Sequence, residues 1–371
     1  MASKLRICNF VAILQQLDTG DAMSAAPTNA INASELPRPF LLFIGEGADI
    51  PYAKTALGLR DWASESCVGE FACAGSRATI GLTAMTPHEA RKLGARALVI
   101  GVASIGGALR DAWLRSLLEA LEAGLDIISG LHQRLAECQP LAEAARRYDR
   151  QLIDVRVPPS PIAIATGRKR RGRRLLTVGT DCALGKKYTA LCLTRSLRQR
   201  GHMADFRATG QTGIMIAGGG IPIDSVVSDF IAGAAELLSP DATAEHWDVI
   251  EGQGSLFHPS YAGVSLGLLH GSQPDVIVVC HEVGRNRIMG LENYATPGLR
   301  DAIDLNLQLG RLTNPRIRCA GVALNTISLS AAEADAELLR YSEELGLAAG
   351  DPVRGGPQYE QLVDACLQPH N

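Results

Sequence analysis

Short apolar runs alternate with helical patterns along the first part of the chain. Four runs have the length and composition of buried strands: 40–44, 97–101, 126–128 and 152–155. A helix is predicted after the second run, because Trp113, Leu117 and Leu121 recur at helical spacing until Gly124 ends the pattern. Further helices are predicted at about 52–58 and over 139–148. This alternation predicts a parallel sheet with helices on both faces, and we place this α/β domain at residues 37–157.

The same alternation resumes after residue 174. Strands are predicted at 175–179, 205–207, 247–251, 275–280 and 320–326. One apolar stripe at helical spacing is expected to be core and consists of Val227, Phe230, Ile231, Ala234 and Leu238. Ser330 is placed to cap a closing helix that runs to about Leu345. Residues 175–371 are therefore expected to form a second α/β domain.

The segments outside these domains have a different composition. Residues 1–36 are rich in small and polar residues, so we expect a disordered extension, within which Met23 is a possible true start. Prolines and charges mark residues 158–174 as a linker. Its basic run at 167–174 is typical of a solvated face, although its position leaves open that these side chains reach an additional phosphate group.

Composition excludes several classes of protein. A formal net charge of −3 gives no field that would gather nucleic acid or an anionic membrane surface. The nine cysteines are scattered without metal-ligand spacing, which predicts reduced thiols in a cytoplasmic protein, with no disulfide and no structural zinc. No apolar run approaches the roughly 20 residues that span a bilayer. We therefore expect small-molecule substrates and neither nucleic acid nor membrane as partners.

Three glycines follow a strand of the first domain and precede its helix. Gly101, Gly106 and Gly107 make a dinucleotide site conceivable there. The fingerprint Gly-x-Gly-x-x-Gly is not met, however, and glycine at strand ends usually serves the turn itself. We interpret these glycines as structural.

Residues 175–200 read as a strand, a phosphate loop and a helix in direct succession. Backbone N–H groups of such a loop, with the N-terminus of the helix behind it, form a cradle for phosphate oxygens. Lys186 adds a mobile full charge. The residues predicted to contact a phosphorylated ligand are Gly179, Thr180, Asp181, Cys182, Ala183, Leu184, Gly185, Lys186 and Lys187.

The loop departs from the usual phosphate-loop pattern at one position. A Ser or Thr normally follows the loop lysine, and its hydroxyl binds the Mg²⁺ that bridges the nucleotide phosphates. Lys187 stands in that place here, and the next hydroxyl, Thr189, lies about 200° around the helix. We infer a loop that holds a phosphorylated ligand without metal-dependent hydrolysis.

Polar side chains follow the later strands. Glu251 ends one strand and His258 lies in the loop behind it, while the next strand delivers His281, Arg285 and Arg287. In doubly wound sheets the ligand crevice lies at the carboxyl ends of the strands, so these groups should face the phosphate loop. Strand-end histidines beside a predicted phosphate site are candidates for catalysis.

Two resemblances rest on these residues. The loop at 179–186, the strand end at 249–254 and Leu324-Asn325-Thr326 look like dethiobiotin synthetase, an ATP-dependent phosphate-loop enzyme. More extensively, from about residue 40 to 353, the chain resembles the D-glutamate N-acetyltransferase (DgcN) family, above all at 205–214 and 250–275. That resemblance implies a Rossmann-like N-terminal domain, a phosphate-loop C-terminal domain of three layers, and acetyl transfer from acetyl-CoA to the amine of D-glutamate in D-glutamate breakdown.

The implied reaction assigns roles to the candidate residues. Coenzyme A carries phosphates but nothing to hydrolyse, so no metal is expected. Glu251, His258 and His281 are the candidate bases for the substrate amine, and glycine-loop N–H groups are candidate oxyanion donors. The substrate-binding candidates are Arg207, Gln211, Arg285 and Arg287, because guanidinium pairs bidentately with carboxylate. Cys182 is a less favoured candidate for an acetyl-carrying nucleophile.

Two other classes of function stay open. An ATP-using ligase or kinase in the manner of dethiobiotin synthetase would take Asp181 and Glu251 as Mg²⁺ ligands. A non-catalytic nucleotide-binding protein would bind ligand without turnover. For the enzyme we expect a homo-oligomer.

Overall fold

A computed structural model describes residues 36–47 and 52–369 of the chain. The expected disordered extension therefore lies almost wholly outside the described residues. Within them, two parallel sheets follow one another along the sequence, which confirms the predicted α/β class. No helix in these ranges is both long enough and apolar enough to cross a membrane.

The N-terminal sheet has five parallel strands in the order β2-β1-β3-β4-β5. Its strands are β1 (Phe40–Phe43), β2 (Cys67–Phe71), β3 (Ala97–Ile100), β4 (Asp126–Ser129) and β5 (Leu152–Asp154). Its helices are α1 (Lys54–Trp62), α2 (Pro87–Lys92), α3 (Asp111–Glu122) and α4 (Gln139–Arg147). Strand β2 was not predicted, because Gly69 and Glu70 interrupt its apolar pattern, and α1 extends one turn beyond its predicted end.

The C-terminal sheet has six parallel strands in the order β13-β12-β9-β6-β8-β7. These strands are β6 (Arg173–Gly179), β7 (Ala204–Arg207), β8 (Trp247–Ile250), β9 (Val276–Glu282), β12 (Arg318–Asn325) and β13 (Ala348–Gly350). A short antiparallel hairpin follows β9 and consists of β10 (Arg287–Ile288) and β11 (Leu291–Ala295).

Seven helices of the described chain belong to this second domain. They are α5 (Lys186–Gln199), α6 (Gln211–Ala217), α7 (Ile231–Leu238), α8 (Ala262–Ser272), α9 (Leu299–Gly310), α10 (Ala331–Leu345) and α11 (Pro357–Leu367). Alternate residues of the strands belong to two separate cores, one against α7 to α10 and the other against α5 and α11. This arrangement confirms three layers, and Ser330 caps α10 through a capping box with Glu333, as predicted.

Two local predictions were wrong. Val227 was expected in the core stripe, but α7 begins only at Ile231 and the Val227 side chain is 67% exposed. Residues 208–213 are rich in hydroxyl, amide and glycine groups, a composition that predicts a loop, but α6 begins at Gln211. Its capping carboxylate comes from Glu251, which is distant in sequence, so no local pattern marks the start of this helix.

The basic run before β6 is in part the predicted solvated face, since Arg168, Arg171 and Arg173 are exposed, whereas Arg170 and Arg174 are buried. Arg174 is fully buried, and its guanidinium donates to backbone carbonyls that include those of Ser239 (3.1 Å) and Pro240 (3.0 Å). The run also lies at the amino end of β6, and seven strand residues rise about 20 Å, so it does not reach the loop at the other end. The two buried arginines, Arg170 and Arg174, tie the end of the linker to the second domain.

The two domains share their packing. Ala208, Ile214 and Met215 of the second domain are buried in the hydrophobic core of the first. Arg156, just after β5, donates to Gln211 of α6 at 2.8 Å and to Asp224. Gly130, after β4, also contacts the Gln211 side chain closely. Helix α6 therefore lies between the carboxyl ends of the two sheets.

Candidate active site

The phosphate loop joins β6 to α5 and is held in shape by Asp181. This carboxylate is fully buried and accepts hydrogen bonds from the backbone N–H groups of Cys182 (2.6 Å) and Met289 (2.8 Å). It also pairs with Arg285 at 3.0 Å. Ala183 and Gly185 have positive φ values of 54° and 109°, which turn the chain tightly into the helix. Asp181 therefore supports the loop from behind.

A row of backbone donors lines this loop. In the described chain, no acceptor pairs with the N–H groups of Ala183, Leu184, Gly185, Lys186 and Lys187. These groups surround the N-terminus of α5, a helix of 14 residues whose dipole favours an anion at this end. The ammonium of Lys186 donates to the Asp181 carbonyl at 2.7 Å, and burial lowers its pKa. The loop thus has the donors that a phosphate group requires.

Lys187 lies at the seam between the domains. A methyl group placed on Gly58 of α1 would lie 2.6 Å from the Lys187 ammonium nitrogen, so the two approach closely. Burial lowers the pKa of Lys187 to about 8, although the nearby carboxylate of Glu251 raises it in part. Thr189 is buried beside Cys280, with 3.5 Å between its Oγ1 and the Cys280 Sγ. Lys187 has no hydroxyl, and the hydroxyl of Thr189 is turned toward Cys280, so neither residue offers a hydroxyl to a metal ion at the loop.

Glu251 is buried directly beyond the end of β8. Its Oε2 accepts the backbone N–H groups of Thr209 (3.0 Å) and Gly210 (3.1 Å) at the start of α6. Burial raises the pKa of Glu251, and these two hydrogen bonds and the charge of Lys187 offset part of the shift. Oε1 has no hydrogen-bond partner in the described chain. One carboxylate oxygen therefore stays free for chemistry.

The two candidate histidines have different environments. His281 is buried with its Nδ1 2.9 Å from Thr180 Oγ1, and burial, with the nearby charge of Arg285, lowers its pKa to about 4. His258 Nδ1 accepts the backbone N–H of Ser260 at 3.1 Å, so its neutral ring carries the proton on Nε2. His281 is consequently a weak base, and His258 presents an N–H donor.

The predicted substrate-binding side chains are mostly engaged. Arg207 bonds to Asp248 at 2.6 Å, and its side chain runs back along the sheet. Arg285 holds Asp181 and Glu282, and Gln211 accepts from Arg156. Arg287 is exposed on the β10–β11 hairpin and has no ion pair in the described residues.

The contribution of α1 to the site was not predicted. Lys54, Thr55 and Gly58 face the second domain, and Thr55 Oγ1 lies 2.8 Å from Thr212 Oγ1. A glycine inside a helical pattern is a weak signal of close approach, and it was the only one available at Gly58. Which residue approaches it depends on how the domains dock.

Two groups of side chains bring ligand atoms within 4.8 Å of one another: Asp181, Cys182 and His258, and Asp205, His246 and Asp248. In both groups a carboxylate is already paired with arginine, Asp181 with Arg285 and Asp248 with Arg207. The positive charge of a guanidinium beside the ligand atoms disfavours the binding of a cation there. Asp181 is therefore poorly suited to the Mg²⁺ role that an ATP-dependent ligase would require.

The fold and this site define a class: a phosphate-loop α/β domain docked onto a Rossmann-like domain. Family models match both parts, as "Domain of unknown function (DUF1611_C) P-loop domain" over residues 162–363 and "Domain of unknown function (DUF1611_N) Rossmann-like domain" over residues 66–158. The chain belongs to this DUF1611 family. The expected pairing of a Rossmann-like with a phosphate-loop domain is thereby confirmed.

Two relatives with assigned names match 87% and 88% of this chain. A D-glutamate N-acetyltransferase from Pseudoalteromonas sp is 46% identical over 322 residues, covering 87% of this chain and 97% of the relative. Another from Tritonibacter scottomollicae is 47% identical over 327 residues, covering 88% and 98%. The crystal structure of a DUF1611 family protein from Anabaena variabilis superposes with a TM-score of 0.81 at 32% identity, covering 90% of this chain and all of that one. The resemblance to the D-glutamate N-acetyltransferases is confirmed.

Proposed function

We propose that this chain transfers the acetyl group of acetyl-CoA to the amine of D-glutamate. The names of the two relatives support the acyltransferase class and the acceptor. The observation that carries the proposal is the phosphate loop, in which free N–H donors are combined with Lys187 at the position of the metal-binding hydroxyl. Such a loop suits a ligand whose phosphates serve only for binding.

The donor is expected to bind through the backbone of residues 179–187 and the side chain of Lys186. Backbone N–H groups and Lys186 would hold its phosphate oxygens, without a metal ion. The pantetheine arm separates the diphosphate from the thioester. A donor held by its diphosphate must therefore fold back along the seam between the domains for the thioester to approach Glu251.

Among the candidate bases, geometry favours Glu251. Its raised pKa and free Oε1 suit removal of a proton from the substrate ammonium, which is unreactive until it is deprotonated. His258 presents an Nε2–H that suits the tetrahedral oxyanion or the departing thiolate. His281 would be a poor base near neutral pH, because a group with a pKa of about 4 has too little affinity for a proton to take one from the ammonium. The amine then attacks the thioester carbonyl and the C–S bond breaks.

The setting of the reaction is part of the proposal. We assign it to D-glutamate breakdown in the cytoplasm, by a homo-oligomer. The free thiols of the eight described cysteines suit a reducing compartment.

A direct assay tests this function. Purified protein, acetyl-CoA and D-glutamate should release free coenzyme A thiol and form N-acetyl-D-glutamate, measured by thiol colour and mass spectrometry. EDTA should leave the rate unchanged, and L-glutamate should be a poor acceptor. ADP release from ATP that EDTA abolishes would instead support the ligase alternative, and tight binding without turnover would overturn both.

A further inference from the structure

One face of α1 is directed at the phosphate-loop domain. Lys54 and Gly58 are four residues apart and therefore lie on the same side of the helix. At Gly58 this side meets the Lys187 ammonium, and an added methyl group would also lie 2.7 Å from the Thr212 methyl. One turn further along, Asp61 accepts the Tyr188 hydroxyl at 2.7 Å. Lys54 thus extends from the first domain toward the loop of the second.

Lys54 and Lys187 lie on opposite sides of this seam and within electrostatic range of each other. The charge of Lys54 contributes to the lowered pKa of Lys187. Desolvation, followed by the charge of Arg285, lowers the pKa of Lys54, although part of its side chain is open to solvent. Three cations therefore surround the outer side of the loop.

The carboxylates near the two ammonium groups are bonded to other partners. Glu251 accepts two backbone N–H groups, and Asp61 accepts the Tyr188 hydroxyl. Glu282 pairs with Arg285. In the part of the chain that the structure describes, no hydrogen-bond acceptor contacts the ammonium of Lys54 or of Lys187. The Lys187 ammonium lies over the Tyr188 ring, 5.0 Å from its centroid, and both ammonium groups keep hydrogen-bond donors available at the seam.

We infer that Lys54 and Lys187 together bind the side-chain carboxylate of the acceptor and select an acidic amino acid. This inference rests on the proposed function. A carboxylate accepts charge-assisted hydrogen bonds from both ammonium groups and offsets their mutual repulsion. Because Lys187 lies beside Glu251, a small amino acid held there keeps its amine within reach of the proposed base. The donor phosphates have the loop N–H groups and Lys186 instead.

The preference for D-glutamate over D-glutamine measures this role directly. Lys54→Met and Lys187→Met should each lower the ratio of the two kcat/KM values by about 10- to 100-fold, because a charged hydrogen bond is lost only with the acid. Lys54→Arg should retain most of the preference. Lys92→Met, which removes an exposed lysine in α2, is the matched control and should leave the ratio unchanged.

Binding measurements separate the possible outcomes. Calorimetry with glutarate, a dicarboxylate that lacks the amine, should show weaker binding to both methionine variants and unchanged affinity for coenzyme A. An unchanged D-glutamate preference, or a loss of coenzyme A affinity alone, would overturn the inference. If the unmodified protein turns over no D-glutamate but binds glutarate through both lysines, the proposed function fails while the carboxylate site stands.

Discussion

At the scale of single residues, the phosphate loop shows what sequence alone predicts. The exchange of a hydroxyl for Lys187 was visible in the sequence because the loop pattern has fixed spacing. The use of Asp181 as a buried anchor was not visible, since its partners Arg285 and Met289 follow a different strand. Pattern reveals which residues belong to the loop, and only the fold reveals which of them face a ligand.

Lys187 should lower the stability of the folded chain at neutral pH. Burial lowers its folded pKa to about 8 from an ordinary 10.5, so below pH 8 both states are protonated and the folded state bears the full penalty. Lys187→Met should therefore raise the free energy of unfolding by about 1–3 kcal/mol at neutral pH. Between the two pKa values the unfolded chain binds more protons than the folded chain, so the free energy of unfolding of the parent protein increases as the pH rises. The difference in stability between Lys187→Met and the parent therefore becomes smaller.

Urea unfolding at neutral pH and again well above pH 8 checks this expectation. Lys92→Met serves as control, because its exposed ammonium should give no pH-dependent gap. A difference between Lys187→Met and the parent that stays constant with pH would contradict the argument.

At the scale of elements, α1 and α6 form the seam that carries the site. Neither was predicted in this role. The start of α6 depends on a carboxylate more than thirty residues downstream, and α1 was predicted only as a short helix of the first domain. The strands that supply Glu251 and His281 were predicted correctly, because buried parallel strands leave continuous apolar runs.

Gly58→Ala tests the closeness of α1 to the loop. Alanine favours a helix by up to about 1 kcal/mol, but here its methyl group would collide with Lys187 and Thr212. We expect a lower melting temperature and at least a tenfold loss of kcat/KM. Gly263 of α8 has no atom within 4 Å of such a methyl group, so Gly263→Ala should keep both values or raise the melting temperature slightly. Equal behaviour of the two variants would show that α1 does not press on the loop.

At the scale of the whole molecule, the sequence indicates where one domain ends and the next begins. It does not indicate that the core of the first domain contains residues of the second. Composition and the proline-rich segment indicated two α/β units. The shared core and the bonds from Arg156 to Gln211 and Asp224 arise from docking, which leaves no periodic trace in either domain. The glycines that follow β3 do not meet the dinucleotide fingerprint, and Gln211 of α6 packs closely against Gly130 at the carboxyl end of β4.

The protein should consequently unfold in a single cooperative thermal transition. Calorimetry is expected to give one peak with matching calorimetric and van't Hoff enthalpies. Arg156→Met removes the contacts to Gln211 and Asp224, and should lower the melting temperature or split the peak. Two separate transitions in the parent protein would show that each domain is stable without its neighbour.

Synthesis on the ribosome gives the shared core a further consequence. The strands of the first domain are complete by Asp154, but Ile214 and Met215, which close its interior, are translated some sixty residues later. Until α6 leaves the ribosome, the first domain exposes the hydrophobic surface that Ile214 and Met215 later cover, and exposed surface of this kind is recognised by chaperones. The interval between synthesis of the first sheet and closure of its core is therefore set by the length of the linker and of the β6–α5–β7 segment.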